Sequence, residues 1–111
     1  MDVKVGNGAF MASHEEARKL AQNLVKVAGE AGLPTTAILT DMNQVLGTTV
    51  GNALEVQETV DYLKGTHREP RLQEVVIELA AYILIPGGQV DSVDAGREKA
   101  RQALDDHSAL A

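Results

Sequence analysis

Two loops hold the residues of this chain whose types and spacing suit chemistry. The first, Gly6-Asn-Gly8-Ala-Phe10-Met11, follows a short alternating apolar segment. Successive backbone amides close to a helix start attract anions. Yet the loop lacks the Gly-Lys-Ser/Thr ending of a nucleotide phosphate loop, and Met11 stands where a dinucleotide fingerprint needs its third glycine. The residues alone therefore read as a tight turn. Phe10 is the only phenylalanine and lies on no periodic apolar face. It either folds back as a plug over the strand end or offers a flat apolar wall to a ring-shaped ligand. Composition favours the plug.

The second loop runs from Asp41 to Gly51 and enters a helix that carries Glu55 and Glu58. Main-chain carbonyls of an irregular loop, joined by one carboxylate, suit a hard cation with oxygen ligands. The plainer reading has both acids complementing the positive end of the helix. Asp41, closing a strand, could serve as a catalytic or metal-binding carboxylate, but an Asx-type turn explains it as well and is preferred. His14, His67 and His107 have no second His or Cys at ligand spacing and read as solvent-facing residues.

The elements that must position these loops are legible from periodicity. Met1, Val3 and Val5 alternate with Asp2 and Lys4, the pattern of a half-buried strand. Ser13 and Glu16 form a capping box, and Ala17, Leu20, Ala21, Leu24, Ala28 and Ala31 then trace a helix that Gly32 stops. Thr36 to Thr40 is a short apolar run that suits a strand covered on both faces. Strand, helix and strand make a βαβ unit of a parallel sheet. A second helix places Ala53, Val56, Val60 and Leu63 on one face and ends at Gly65. After the polar turn Thr66 to Glu69, Pro70 opens a third helix whose stripe is Leu72, Val75, Val76, Leu79, Ala80, Ile83 and Leu84. Glu74 and Glu78 lie on its other, solvated face. Pro86 to Gly88 breaks it, and a weaker helix follows from Ser92 to about His107, containing Gly96. The fold class is α/β, a βαβ unit followed by two or three helices.

Composition sets the outer bounds. The chain has 111 residues, 44% of them hydrophobic, with Phe10, Tyr62 and Tyr82 its only aromatics, so the core is aliphatic. A net charge of -6 argues against a nucleic-acid partner, which needs clustered Lys and Arg. There is no cysteine, hence no disulfide framework and no thiolate metal site. No segment reaches the ~20 apolar residues of a membrane span. A soluble, cytoplasmic protein is expected. Two strands leave sheet edges uncovered, and the last helix runs to the end of the chain with no stop signal. Residues 1–111 are therefore expected to be part of a larger α/β domain.

The segments Gly8-Ala-Phe-Met11, Asp41-Met-Asn-Gln-Val-Leu46, Gly51-Asn-Ala-Leu-Glu-Val56 and Arg68-Glu-Pro-Arg-Leu72 occur in this order and at these spacings. Together they resemble the thymidine/pyrimidine-nucleoside phosphorylase family, and the last three of them, Arg68–Leu72 above all, its thymidine branch. The resemblance covers most of the chain and fades over the final helix. It implies a parent that is a homodimeric pentosyltransferase, converting thymidine and the co-substrate phosphate reversibly into thymine and 2-deoxyribose 1-phosphate. It places Phe10 beside the pyrimidine base. It also implies a structural potassium ion held by the carbonyls of Leu46 and Thr49 and the carboxylate of Glu58, with further ligands from an upstream glycine-rich loop. Thr49 stands where relatives often have alanine, which a carbonyl ligand tolerates. The family's phosphate loop and base-gripping residues precede this segment, so no catalytic residue is assigned here and the isolated chain is expected to be inactive. Two alternatives stay open: a free-standing pyrimidine-binding module, and a structural subunit completed by another chain.

Overall fold

Alternation decides the first element: Val3 and Val5 are buried while Lys4 stays exposed, giving strand β1 (Asp2–Val5). The computed structural model describes residues 1–111 and continues with α1 (His14–Glu30), β2 (Ile38–Asp41), α2 (Asn52–Lys64), α3 (Pro70–Leu84) and α4 (Val93–Asp105). The strands pair in parallel, from Asp2 opposite Ile38 to Val5 opposite Asp41, with α1 as the crossover. This is the α/β unit that the sequence pattern predicts. The chain divides into two compact units, Met1–Val45 and Leu46–Ala111.

In the first unit, Ser13 caps α1. Its hydroxyl accepts the Glu16 N–H at 3.3 Å and donates to the Glu16 carboxylate at 2.9 Å, so the expected box closes through the hydroxyl. The helix ends where Gly32 predicts, with the Leu33 N–H on the Ala28 carbonyl at 2.8 Å. Ala17 and Ala21 pack on Val3 and Val5, and Met11, Leu20, Ala37 and Leu39 fill the margin. The second strand differs from expectation. It starts at Ile38 rather than Thr36, and only its Thr40 is buried. The apolar run thus belongs to a sheet that α1 covers on one face, not to one covered on both. The Thr40 hydroxyl donates to Asp2 across the strands at 2.5 Å, and Lys4 closes on the same carboxylate at 2.6 Å.

In the second unit, Tyr62, Ile77 and Leu104 form the core, flanked by Leu63, Leu72, Val76 and Ala100. The face expected for α2 is not the one it buries. Val56 is 65% exposed, and the inward residues are Glu58 and Tyr62. Helix α3 opens as predicted, with Pro70 in its first turn and the Glu69 side chain accepting the Leu72 N–H at 2.6 Å. Its most buried line is Ile77–Ala81, while Ile83 at the end of the expected stripe is exposed. Glu78 is not a solvated acid. Arg97 of α4 holds it with two bonds, Nε to Oε1 at 2.6 Å and Nη2 to Oε2 at 2.9 Å, which depresses the carboxyl pKa.

The polar turn before α3 contains a further tie. Arg68 donates to the Tyr62 carbonyl at 3.2 Å, to the Leu104 carbonyl at 2.7 Å and to Asp105 at 2.8 Å. One guanidinium thereby satisfies carbonyls at the C-terminal ends of α2 and α4, where helices carry partial negative charge. It also lies 5.9 Å from the centre of the Tyr62 ring. The Tyr62 hydroxyl, by contrast, is buried without a hydrogen-bond partner, and that burial pushes the phenol pKa up against the opposing charge of Arg68. Removing an orphaned buried hydroxyl relieves its desolvation cost. Tyr62→Phe is therefore expected to raise the unfolding free energy by about 1 kcal/mol in urea denaturation. A loss of stability would show that the hydroxyl is bonded.

Candidate functional site

The C-terminal ends of the two strands carry the first cluster. The Met42 N–H donates to the Val5 carbonyl at 2.7 Å, and the chain then turns so that the Met42 carbonyl accepts the Gly8 N–H at 2.9 Å. Asp41 accepts the Asn43 backbone N–H at 2.9 Å, the Asx turn expected of it. The Asn43 amide nitrogen donates to the same Asp41 oxygen, and its Oδ1 accepts the Asn7 N–H at 3.1 Å. Gly6 has φ +124, and a side chain there would bring its Cβ to 2.7 Å from the Asn43 oxygen. At Gly8 a Cβ would stand 2.9 Å from the Met42 carbonyl oxygen. Both glycines are thus required by the approach of the second loop to the first.

The glycine loop is no phosphate cradle. Four of its amides are already committed within the protein: Gly6 to the Met11 carbonyl, Asn7 to Asn43, Gly8 to Met42 and Ala9 to the Gly6 carbonyl. The tight-turn reading holds. For Phe10 the plug reading fails, because the ring is fully exposed and covers nothing. It lines an open cavity of about 540 Å³ together with Gly8, Met11, Leu20, Leu24 and Lys4. That volume and largely apolar wall lie within the range of small-molecule sites.

The second cluster belongs to the Leu46–Ala111 unit. Glu58, only 9% exposed, faces back toward the loop before its own helix. Its Oε1 accepts the Thr48 N–H and the Thr48 hydroxyl, both at 2.6 Å. Its Oε2 accepts the Thr49 hydroxyl at 2.8 Å and the Thr49 N–H at 3.3 Å. The Thr48 hydroxyl foremost, then the Thr48 amide and the Thr49 hydroxyl, pull the carboxyl pKa from 4.5 to about 2, against the effect of burial. Gly47 runs so close to the carboxylate that a Cβ there would displace it from its threonine donors. Glu55 does what the helix-end reading assigns to both acids, accepting the Gly51 N–H at 2.9 Å.

Thr49 and Glu58 are brought together, and Leu46 lies three residues before Thr49 in the same loop. They meet through hydrogens, however, and a cation needs lone pairs. Each Glu58 oxygen already accepts two donors. In this arrangement a potassium ion would have to displace the Thr48 or the Thr49 hydroxyl to reach the carboxylate. Thr48, which makes the two shortest of these bonds, escaped the sequence reading; the available signal was a hydroxyl pair in a loop preceding a helical acid. Among the described residues no group of three His, Cys, Asp or Glu converges on a metal position. His14, His67 and His107 are exposed and enter neither cluster.

Comparison with known proteins agrees with the motif order. The chain is 51% identical to the thymidine phosphorylase of Burkholderia cenocepacia over 109 residues, 98% of this chain and 25% of that protein. It is 53% identical to the thymidine phosphorylase of Colwellia psychrerythraea over 104 residues, 94% of this chain and 24% of the relative. The chain thus spans about a quarter of the length of the curated relatives it matches. Residues 1–110 match the model described as glycosyl transferase family, a/b domain, and the chain belongs to that family.

Proposed function

We propose that these residues are a segment of a thymidine phosphorylase and supply one wall of its base pocket. Identity above 50% along nearly the whole chain to proteins of that name carries the reading. The ring of Phe10, exposed over an apolar cavity, supports its finer part. Phosphate attacks the anomeric carbon of the nucleoside, the glycosidic bond breaks, and the electron pair leaves with the pyrimidine. Catalysis then rests on holding both reactants in line and stabilising the charge that develops on the base. Phe10 contributes to the first task, as a flat surface against which the base is held. The groups that hold phosphate and grip the base polar edge belong to the remainder of the parent.

The reading extends to a homodimeric parent acting in nucleoside salvage in the cytoplasm, and the absence of cysteine is compatible with a reducing compartment. A potassium ion implied by the resemblance would reach Glu58 only after a threonine hydroxyl gives up its bond. The test compares the purified 111-residue chain with the full-length protein. Thymine release from thymidine and phosphate is expected from the full-length protein alone. Turnover by the chain itself would overturn the segment reading. Thymine binding by a cooperatively melting chain, with no active longer product, would replace it with a free-standing binding module.

A further inference from the structure

The Phe10 ring makes no packing contact that shields it, so its position is set wholly by the backbone of the loop that carries it. Two of that loop's bonds close it on itself: Gly6 N–H to the Met11 carbonyl and Ala9 N–H to the Gly6 carbonyl, each at 3.0 Å. Two others tie it to the segment after β2. One is the backbone bond from Gly8 to Met42, and the other runs from the Asn7 N–H to the Asn43 side chain.

We infer that Asn43 is a positioning residue for base recognition, acting through the Gly6–Met11 loop to hold Phe10 against the pyrimidine; this rests on the reading of Phe10 as a base wall. An amide suits the place. Asp41 presents an acceptor and Asn7 a donor, so the connecting group must donate at one end and accept at the other. The orientation of the amide follows from those neighbours, with nitrogen toward Asp41 and oxygen toward Asn7. The Asx turn at Asp41 fixes the Asn43 backbone as well. Asn43 is therefore held at two points before it reaches the loop. The loop has paid for this contact in sequence, since only a glycine at position 6 leaves room for the Asn43 oxygen.

The chain of effects runs from Asp41 to Asn43, to the Asn7 amide, and through three peptide units, by way of Gly8 and Ala9, to the Phe10 backbone. Loss of the Asn43 side chain frees one of the two ties and leaves the base wall to be ordered on binding. That cost falls on affinity for the base and not on phosphate.

The experiment is steady-state kinetics of the full-length protein with Asn43→Ala and with Phe10→Ala, measuring KM for thymidine and for phosphate separately beside the thermal midpoint. Asn43→Ala is expected to raise the thymidine KM about tenfold, a cost typical of a displaced positioning element, with the phosphate KM and kcat held within about twofold. Phe10→Ala is expected to raise the thymidine KM at least as much. Should Asn43→Ala fail to fold, Asn43→Ser, polar but too short to reach Asn7, is expected to give the same split. A raised KM in Phe10→Ala with a wild-type KM in the Asn43 variants overturns the positioning role and leaves the base-wall reading standing. A wild-type KM in Phe10→Ala overturns that reading and the inference with it. A parallel loss of kcat and of both affinities, tracking a fall in the melting midpoint, assigns Asn43 a purely structural role and also overturns the inference.

Discussion

Glu58→Ala should loosen the start of α2 and the loop before it more than any other single side-chain deletion on that helix outside Tyr62. Four donors converge on this carboxylate, two of them backbone amides that have no alternative role in the helix ladder. Alanine would leave those donors facing a vacated space, and an unmatched donor costs more than its bond contributed. Amide exchange at Thr48 and Thr49 should accelerate by about tenfold or more. Glu58→Gln is nearly as harmful despite its shape, because its NH2 group points a donor at donors. An unchanged exchange rate at Thr48 in both variants would show that Glu58 is not what holds the loop.

The same carboxylate predicts an acid dependence with a definite sign. Its folded-state pKa, about 2, lies below the ordinary 4.5, so the folded state binds this proton less readily than the unfolded state does. The stabilisation is fully present above pH 4.5 and is lost as pH falls from 4.5 toward 2. Glu58→Gln, already lacking the charge, should show a shallower fall of stability across that window. Parallel curves for wild type and variant would contradict the depressed pKa.

Periodicity made the framework legible because backbone geometry forces it. The Val3/Val5 alternation, the Ser13 cap, the Gly32 and Gly65 stops and the Pro70 start are all local signals, and each element they imply is present. What periodicity could not supply was rotation and partner choice. An apolar face for α2 through Val56 is reasonable from spacing, yet the helix turns Glu58 and Tyr62 inward, because a carboxylate with four donors is as well satisfied inside as outside. Glu78 reads as a surface acid until Arg97, on a later helix, is known to reach it. Phe10 is the opposite case. A lone aromatic in a glycine loop looks like a plug, and only the placement of the loop shows the ring left open to solvent. Asn43 carried no signal of its own, since a bridging amide is recognised by its neighbours in space and one of the two, Asn7, comes from a segment before the crossover helix.

Gly96→Val should produce the largest loss of stability in the Leu46–Ala111 unit among substitutions that add atoms. A Cβ at position 96 would stand 2.8 Å from both the Cα and the carbonyl oxygen of Ala81 and 3.1 Å from its Cβ. Helices α3 and α4 therefore meet backbone to backbone at this point, which is why a glycine weakens the helical signal of α4 without preventing the helix. Any side chain must push the helices apart, and with them Ile77 and Leu104 of the core. The expected cost of Gly96→Val is about 3 kcal/mol, at the upper end for overpacking, read from urea denaturation. Gly96→Ala tests the cause more sharply. Helix propensity alone predicts a gain of about 1 kcal/mol, whereas the close approach predicts a net loss. Trimming the partner should not rescue it, because Ala81→Gly removes only the farthest of the three obstructing atoms and leaves the Cα and carbonyl oxygen in place. A stabilised Gly96→Ala protein, or full recovery in the double variant, would mean that the helices do not touch along their backbones.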